Sequence, residues 1–177
     1  MVCATEHQIG LLGSSFFAGW VISSTYIPNY SDRRGRKNVV FVCSVLGILV
    51  SLAIVASRSL LLTCGILFVM GVLTSGSASV GYVYMLEFFT SEWQTTFGTL
   101  DSIVGTISAM LVPLYFIYIS KEYRWLFGIS VIMNLVAVAG FVFFLDESPL
   151  YLYSKGEKEK ADEIVRKITR FNKNWSF

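Results

Sequence analysis

From Ser59 to Leu86 this chain carries no charged side chain. Wound as an α-helix at about 1.5 Å per residue, such a stretch outreaches the ~30 Å hydrocarbon core of a bilayer. It fits by tilting or by extending past the lipid. A soluble domain would have to bury this rod on every side, and the rest of the sequence has too little polar surface for that. Charged residues make up 15% and hydrophobic residues 54%, with a mean hydropathy of +0.62, whereas a globular domain is about a quarter charged. The fold class that follows is all-α, a polytopic membrane helix bundle.

Other apolar stretches repeat the pattern. Spans are expected at about residues 9–28, 38–57, 59–86, 96–119 and 125–145, each near or above the ~20 residues needed to cross a bilayer. The lead from Met1 to Gln8 has no basic residue and no signal-peptide pattern. Pro28 suits the end of the first span. That span holds two rows of small residues at four-residue spacing, Gly10/Ser14/Ala18 and Ser15/Gly19/Ser23, and the third span holds Gly71/Ser75/Ser79. Such rows let helix backbones approach closely in lipid, so the third span packs tightly or lines a cavity. Cys3, Cys43 and Cys64 show no metal-ligand spacing, and the latter two read as small hydrophobes.

The tail, residues 146–177, changes character at Asp146. Ser148-Pro149 reads as an N-cap followed by a first-turn proline, and Gly156 as the C′ residue that stops a short helix. A second helix is expected over about 157–171. Its stripe of Ala161, Ile164, Val165, Ile168 and Phe171 opposes a face of Lys and Glu, the pattern of a surface helix beneath the bundle.

Orientation comes from the segment Asn29 to Lys37, expected as a short loop between the first two spans. It sets Arg33, Arg34, Arg36 and Lys37 beside the single acid Asp32. Basic loops stay on the cytoplasmic side. With this loop cytoplasmic, so are the connection from Glu87 to Glu92 and the whole tail. Of the 14 Lys and Arg residues, only Arg58, Lys121 and Arg124 then fall outside. Five spans place Met1 outside and the tail in the cytoplasm, and leave the identity of the membrane open.

The same segment has a chemistry of its own. Asp32 can accept hydrogen bonds from Arg36 or from a neighbouring helix N-terminus, and Gly35 permits a tight turn. Paired in this way the segment holds one conformation shut; unpaired, it is a topology signal only. Within the spans, Asp101 is the charge most committed to the membrane. With Asn134 it is a candidate intramembrane substrate or ion site, the bland counterpart being an interfacial carboxylate reaching back to water. Tyr82, Tyr84 and Ser102 are further polar residues for a solute path, although isolated polar residues in helices more often bond a neighbouring helix. His7 stands alone, and a P-loop, a nucleophile elbow and a His–Glu metal pair are all missing from the sequence. These absences argue against an enzyme, a bound metal, a cofactor or a nucleic-acid partner.

Pro28-Asn29-Tyr30-Ser31-Asp32-Arg33-Arg34-Gly35-Arg36-Lys37 resembles the loop motif G-x-x-x-D-R-x-G-R-R/K of the major facilitator superfamily. Glu147-Ser148-Pro149 with Ser154-Lys155-Gly156 after the last span, and Val2-Cys3 ahead of the first, narrow the likeness to the organic cation/anion transporter branch, with the sugar porters second. The resemblance covers nearly the whole chain. It implies a partial major facilitator fold: helices two to six of a twelve-helix transporter in two six-helix halves, plus the start of the central linker. Helix one and the second half would then be missing partners, supplied by a longer chain or another membrane subunit. By the same resemblance Asp32, Arg33, Gly35, Arg36, Lys37 and Glu87 form a cytoplasmic gate that Glu147 contacts. The implied function is transport of a small organic solute, charged or neutral, by alternating access. The opposing expectation is a degenerate, non-transporting subunit of a membrane complex. The departures bear on it: Pro28 stands at the first glycine of the motif, and Leu67, Gln94 and Leu150 stand at family arginines.

Overall fold

A computed structural model describes residues 6–89, 91–119, 121–144 and 146–173. Among these residues every regular element is a helix: α1 (Glu6–Arg34), α2 (Arg36–Ala56), α3 (Leu60–Leu86), α4 (Ser91–Tyr118), α5 (Tyr123–Phe144), α6 (Pro149–Ser154) and α7 (Lys158–Lys173). Four of them, α2 to α5, are long and apolar enough to cross a membrane. At 29 residues α1 is long enough as well, but its glycines and serines dilute its hydropathy.

The segment from Asn29 onward is not a loop, which corrects the sequence expectation. Pro28 lies inside α1, which runs on to Arg34, and the only break before α2 is Gly35. Proline removes one backbone donor and crowds the preceding turn but need not end a helix whose other bonds persist. Ser31 Oγ donates to the Pro28 carbonyl at 2.7 Å just beyond it. Gly35 makes the break because it sits at φ 98° and ψ 135°, a region essentially reserved for glycine.

Helix α3 is the centre, with α1 and α2 both packed against it and α5 against α2. The α1–α3 seam is a backbone-to-backbone contact. A Cβ on Gly19 would collide with the Phe68 carbonyl, and a Cβ on Gly71 would collide with the Phe16 carbonyl. Ser23 Oγ reaches across to the Val72 carbonyl at 2.7 Å. Of the two small-residue rows in α1, Ser15/Gly19/Ser23 makes this seam. Gly10, Ser14 and Ala18 have no such role: Gly10 has open space around it and the other two are exposed. The core beside the seam is Val39, Val40, Cys43, Leu73 and Val80, with Ile27, Val50 and Phe141 packed on it.

Helix α4 stands apart, separated from α3 by a cleft and bearing no buried residue in its apolar window. Helix α6 begins at Ser148, whose Oγ accepts from the Tyr151 N–H at 3.2 Å. It ends in a pair of nested bonds, Gly156 N–H to the Tyr153 carbonyl and Glu157 N–H to the Leu152 carbonyl, with Gly156 at φ 82°. This is the Schellman arrangement. It turns the chain so that α7 packs on α6 through the fully buried Ala161.

Candidate functional site

At the end of the bundle where α1 meets α2, three segments distant in sequence converge on one set of charges. The first is the α1–α2 junction. Arg36, in the first turn of α2, bonds Asp32 one turn back at 3.1 Å and forms its second ion pair with Glu87 at the end of α3. The two partners are unequal. Glu87 is 9% exposed and Arg36 17%, whereas Asp32 is 58% exposed. An exposed pair contributes little, and a desolvated one is costly to break.

The second segment is the end of α3, where Tyr84 and Glu87 lie nearly one turn apart. Tyr84 is fully enclosed between Phe88 and Phe141, and its hydroxyl donates to the Asp146 carbonyl. The third segment is Asp146-Glu147-Ser148, just ahead of α6. Ser148 Oγ donates to Glu87 while accepting from the Tyr151 N–H. Glu147 Oε1 accepts from the Lys37 N–H at 3.0 Å.

That last bond solves a local problem. Helix α2 starts with Gly35, which has no side chain to cap the first turn, and free N–H groups at a helix start need acceptors. The Glu147 carboxylate provides one from across the fold and sets a negative charge at the positive end of the helix dipole. Gly35 also leaves room for this approach, since a Cβ there would sit 3.1 Å from Glu147 Oε2. Tyr151 Oη completes the clasp by donating to the Arg33 carbonyl at 3.3 Å.

The structure therefore brings together Asp32, Gly35, Arg36, Lys37, Glu87 and Glu147. Arg33 takes part through its backbone, its side chain being exposed. Asp101 and Asn134 are placed elsewhere and apart from each other. Asp101 lines the α3–α4 cleft, a cavity of about 440 Å³ whose wall includes Ser77, Tyr82, Phe89 and Phe97. Asn134 is half-buried on α5, away from that cleft. Ser102 is turned back onto the Gly98 carbonyl at 2.9 Å. Gln94 directs its amide at the last carbonyl of α3, Leu86 at 3.1 Å, and at the Phe89 carbonyl in the turn beyond it at 3.3 Å.

Sequence reasoning missed two members of the cluster. By sequence Tyr84 reads as a polar residue for a solute path, but its hydroxyl fastens the segment after α5. Ser148 was visible as a cap, and its second role at Glu87 was not. A usable signal existed, because a carboxylate closing an apolar span needs a donor from another segment.

The family model of the major facilitator superfamily matches residues 2–177. The chain belongs to the major facilitator superfamily. It is 28% identical over 159 residues to a probable metabolite transport protein, CsbC, of Bacillus subtilis, covering 88% of this chain and 34% of that protein. To the glucose transporter GlcP of Staphylococcus epidermidis it is 26% identical, over 89% of this chain and 35% of the relative. To the organic cation/carnitine transporter 2 of Homo sapiens it is 28% identical, over 97% of this chain and 31% of the relative. The chain thus spans about a third of the length of these relatives. Membership and the apolar helices make it an integral, multi-pass membrane protein.

Proposed function

We propose that this chain forms helices two to six of a major facilitator transporter that carries a small organic solute by alternating access, with α1 as its fifth membrane span and residues 146–177 as a cytoplasmic linker. The observation that carries the reading is the closure of the α1–α2 junction by Glu87 and Glu147. The junction, the end of α3 and the linker are locked through charge-assisted bonds, which are strong, directional and breakable as a set. Such a cluster fits a latch between two arrangements of a rocking bundle. The preponderance of basic residues at the junction and in the tail supports a cytoplasmic position. Asp101 and Asn134 remain candidates for solute or ion contact from α4 and α5, and the second half of the cavity belongs to chain beyond these helices.

The test is uptake of labelled organic solutes into cells making the full-length product, with Glu87→Gln compared at matched surface expression. Loss of uptake with retained expression supports the latch, and unchanged uptake refutes it. The absence of uptake for sugars, organic cations and carboxylates alike, in wild type, favours the second reading. In that reading the chain is a structural subunit, as the leucines and glutamine at Leu67, Gln94 and Leu150 would suit. Its positive evidence is co-purification in fixed proportion with a larger membrane complex.

A further inference from the structure

Helices α1 and α2 lie against α3 more than against each other, and a groove is left between them near their junction. Its volume is about 390 Å³. Ile27, Val39, Val42 and Cys43 form an apolar wall, and Tyr30, Arg34 and Asn38 form the lip nearer the Gly35 break. The lip and the wall are thus chemically opposite and lie side by side, Asn38 and Val39 being neighbours in the chain.

Arg34 differs from the arginine two positions on. Arg36 is held by two carboxylates, but among the described residues Arg34 meets none. Its guanidinium lies 6.0 Å from the centre of the Tyr30 ring, a contact that leaves its charge unneutralised. Val42 on the wall and Tyr30 on the lip are both exposed, so the groove is open to its surroundings.

We propose that this groove is a binding site for an anionic phospholipid, its phosphate on Arg34 and Asn38 and an acyl chain along Ile27 and Val42. Arginine presents several N–H donors in a planar array matched to phosphate oxygens, and the cytoplasmic leaflet is rich in anionic headgroups. A free phosphate would use the lip and leave the apolar wall wet, so the lipid is the occupant that satisfies both. The site lies beside the latch and shares its junction, but its binding does not depend on whether the protein transports anything.

The test is native mass spectrometry of the full-length product extracted from vesicles of equal phosphatidylglycerol and phosphatidylcholine. Wild type is expected to retain phosphatidylglycerol in preference to phosphatidylcholine. Arg34→Ala should lower that retention about fivefold, equivalent to the ~1 kcal/mol that a basic residue contributes at an anionic surface. Val42→Trp, which fills the wall and leaves Arg34 in place, should lower it as well. Arg58→Ala, at the opposite end of α2, should leave it unchanged. Equal retention of both lipids by wild type, or full retention by both groove variants, overturns the proposal. Displacement of the lipid by millimolar inorganic phosphate would assign the lip to a soluble anion and overturn it too.

Discussion

Removing the Arg36 side chain should destabilise the protein far more than removing Asp32, although both are partners in one network. Glu87 is 9% exposed, so Arg36→Ala leaves a desolvated carboxylate without its counter-ion. Breaking one side of a buried pair costs about 3–5 kcal/mol. Ser148 Oγ still donates to Glu87 in the variant, which places the expected loss at the lower end, about 3 kcal/mol. Asp32 is 58% exposed, and losing a pair of that kind costs about 0.5 kcal/mol. Arg36→Ala should therefore lower the melting temperature several times as far as Asp32→Ala does. The double variant Arg36→Met/Glu87→Gln removes both charges together and should recover most of the loss. The assay is thermal unfolding of the detergent-solubilised full-length protein, followed by size-exclusion fluorescence. Asp32→Ala as damaging as Arg36→Ala, or a double variant no better than the single, would refute the assignment of the buried partner.

Other expectations are open to the same assay. Gly71→Ala drives a Cβ into the Phe16 carbonyl, and because backbone cannot swing aside as a side chain does, a loss of about 1–3 kcal/mol is expected. Gly47→Ala, with nothing within 4 Å of its Cβ, should instead stabilise α2 by about 0.5–1 kcal/mol. Glu147→Ala removes the acceptor at the start of α2, at a cost of about 1 kcal/mol; hydrogen exchange of the Lys37 amide should quicken roughly fivefold, and an unchanged rate would sink the capping role. The Tyr153 hydroxyl donates to Asp162, and that bond holds its phenol above the ordinary tyrosine value. Stability from this contact is therefore complete below about pH 10 and lost as pH rises through the higher folded value. Tyr153→Phe should abolish any alkaline loosening of α6 against α7 seen by limited proteolysis.

Much of the bundle was legible because lipid leaves few choices. An uncharged stretch such as Ser59 to Leu86 has to be helical where no water can bond the backbone. The turn chemistry at Ser148-Pro149 and Gly156 is equally local, and local rules suffice there. Reasoning failed where the deciding contact was remote. Pro28 and the charged run after it look like a loop, yet α1 continues to Arg34, and only the backbone angle of Gly35 marks the break. Two small-residue rows in α1 were equivalent on paper; the position of α3 chose one. The convergence of Glu87, Glu147 and Arg36 followed from family likeness, whereas the roles of Tyr84 and Ser148 follow only from the folded arrangement. Asp101 and Asn134 share polarity but not a location.

The dependence of α2 on Glu147 also has a consequence in time. Residue 147 is synthesised long after α2, so the Lys37 amide is without its Glu147 acceptor while α3, α4 and α5 are added. The junction can be sealed only when the linker emerges and folds back. Until then Arg36 and Glu87 have each other but not the segment that encloses them, and water reaches both. Late closure of a long-range contact is the slow kind, so this junction is the last part of the bundle to seal. Chains released from the ribosome after a stop codon at position 146 should hold their spans in the bilayer yet remain open to protease at Gly35.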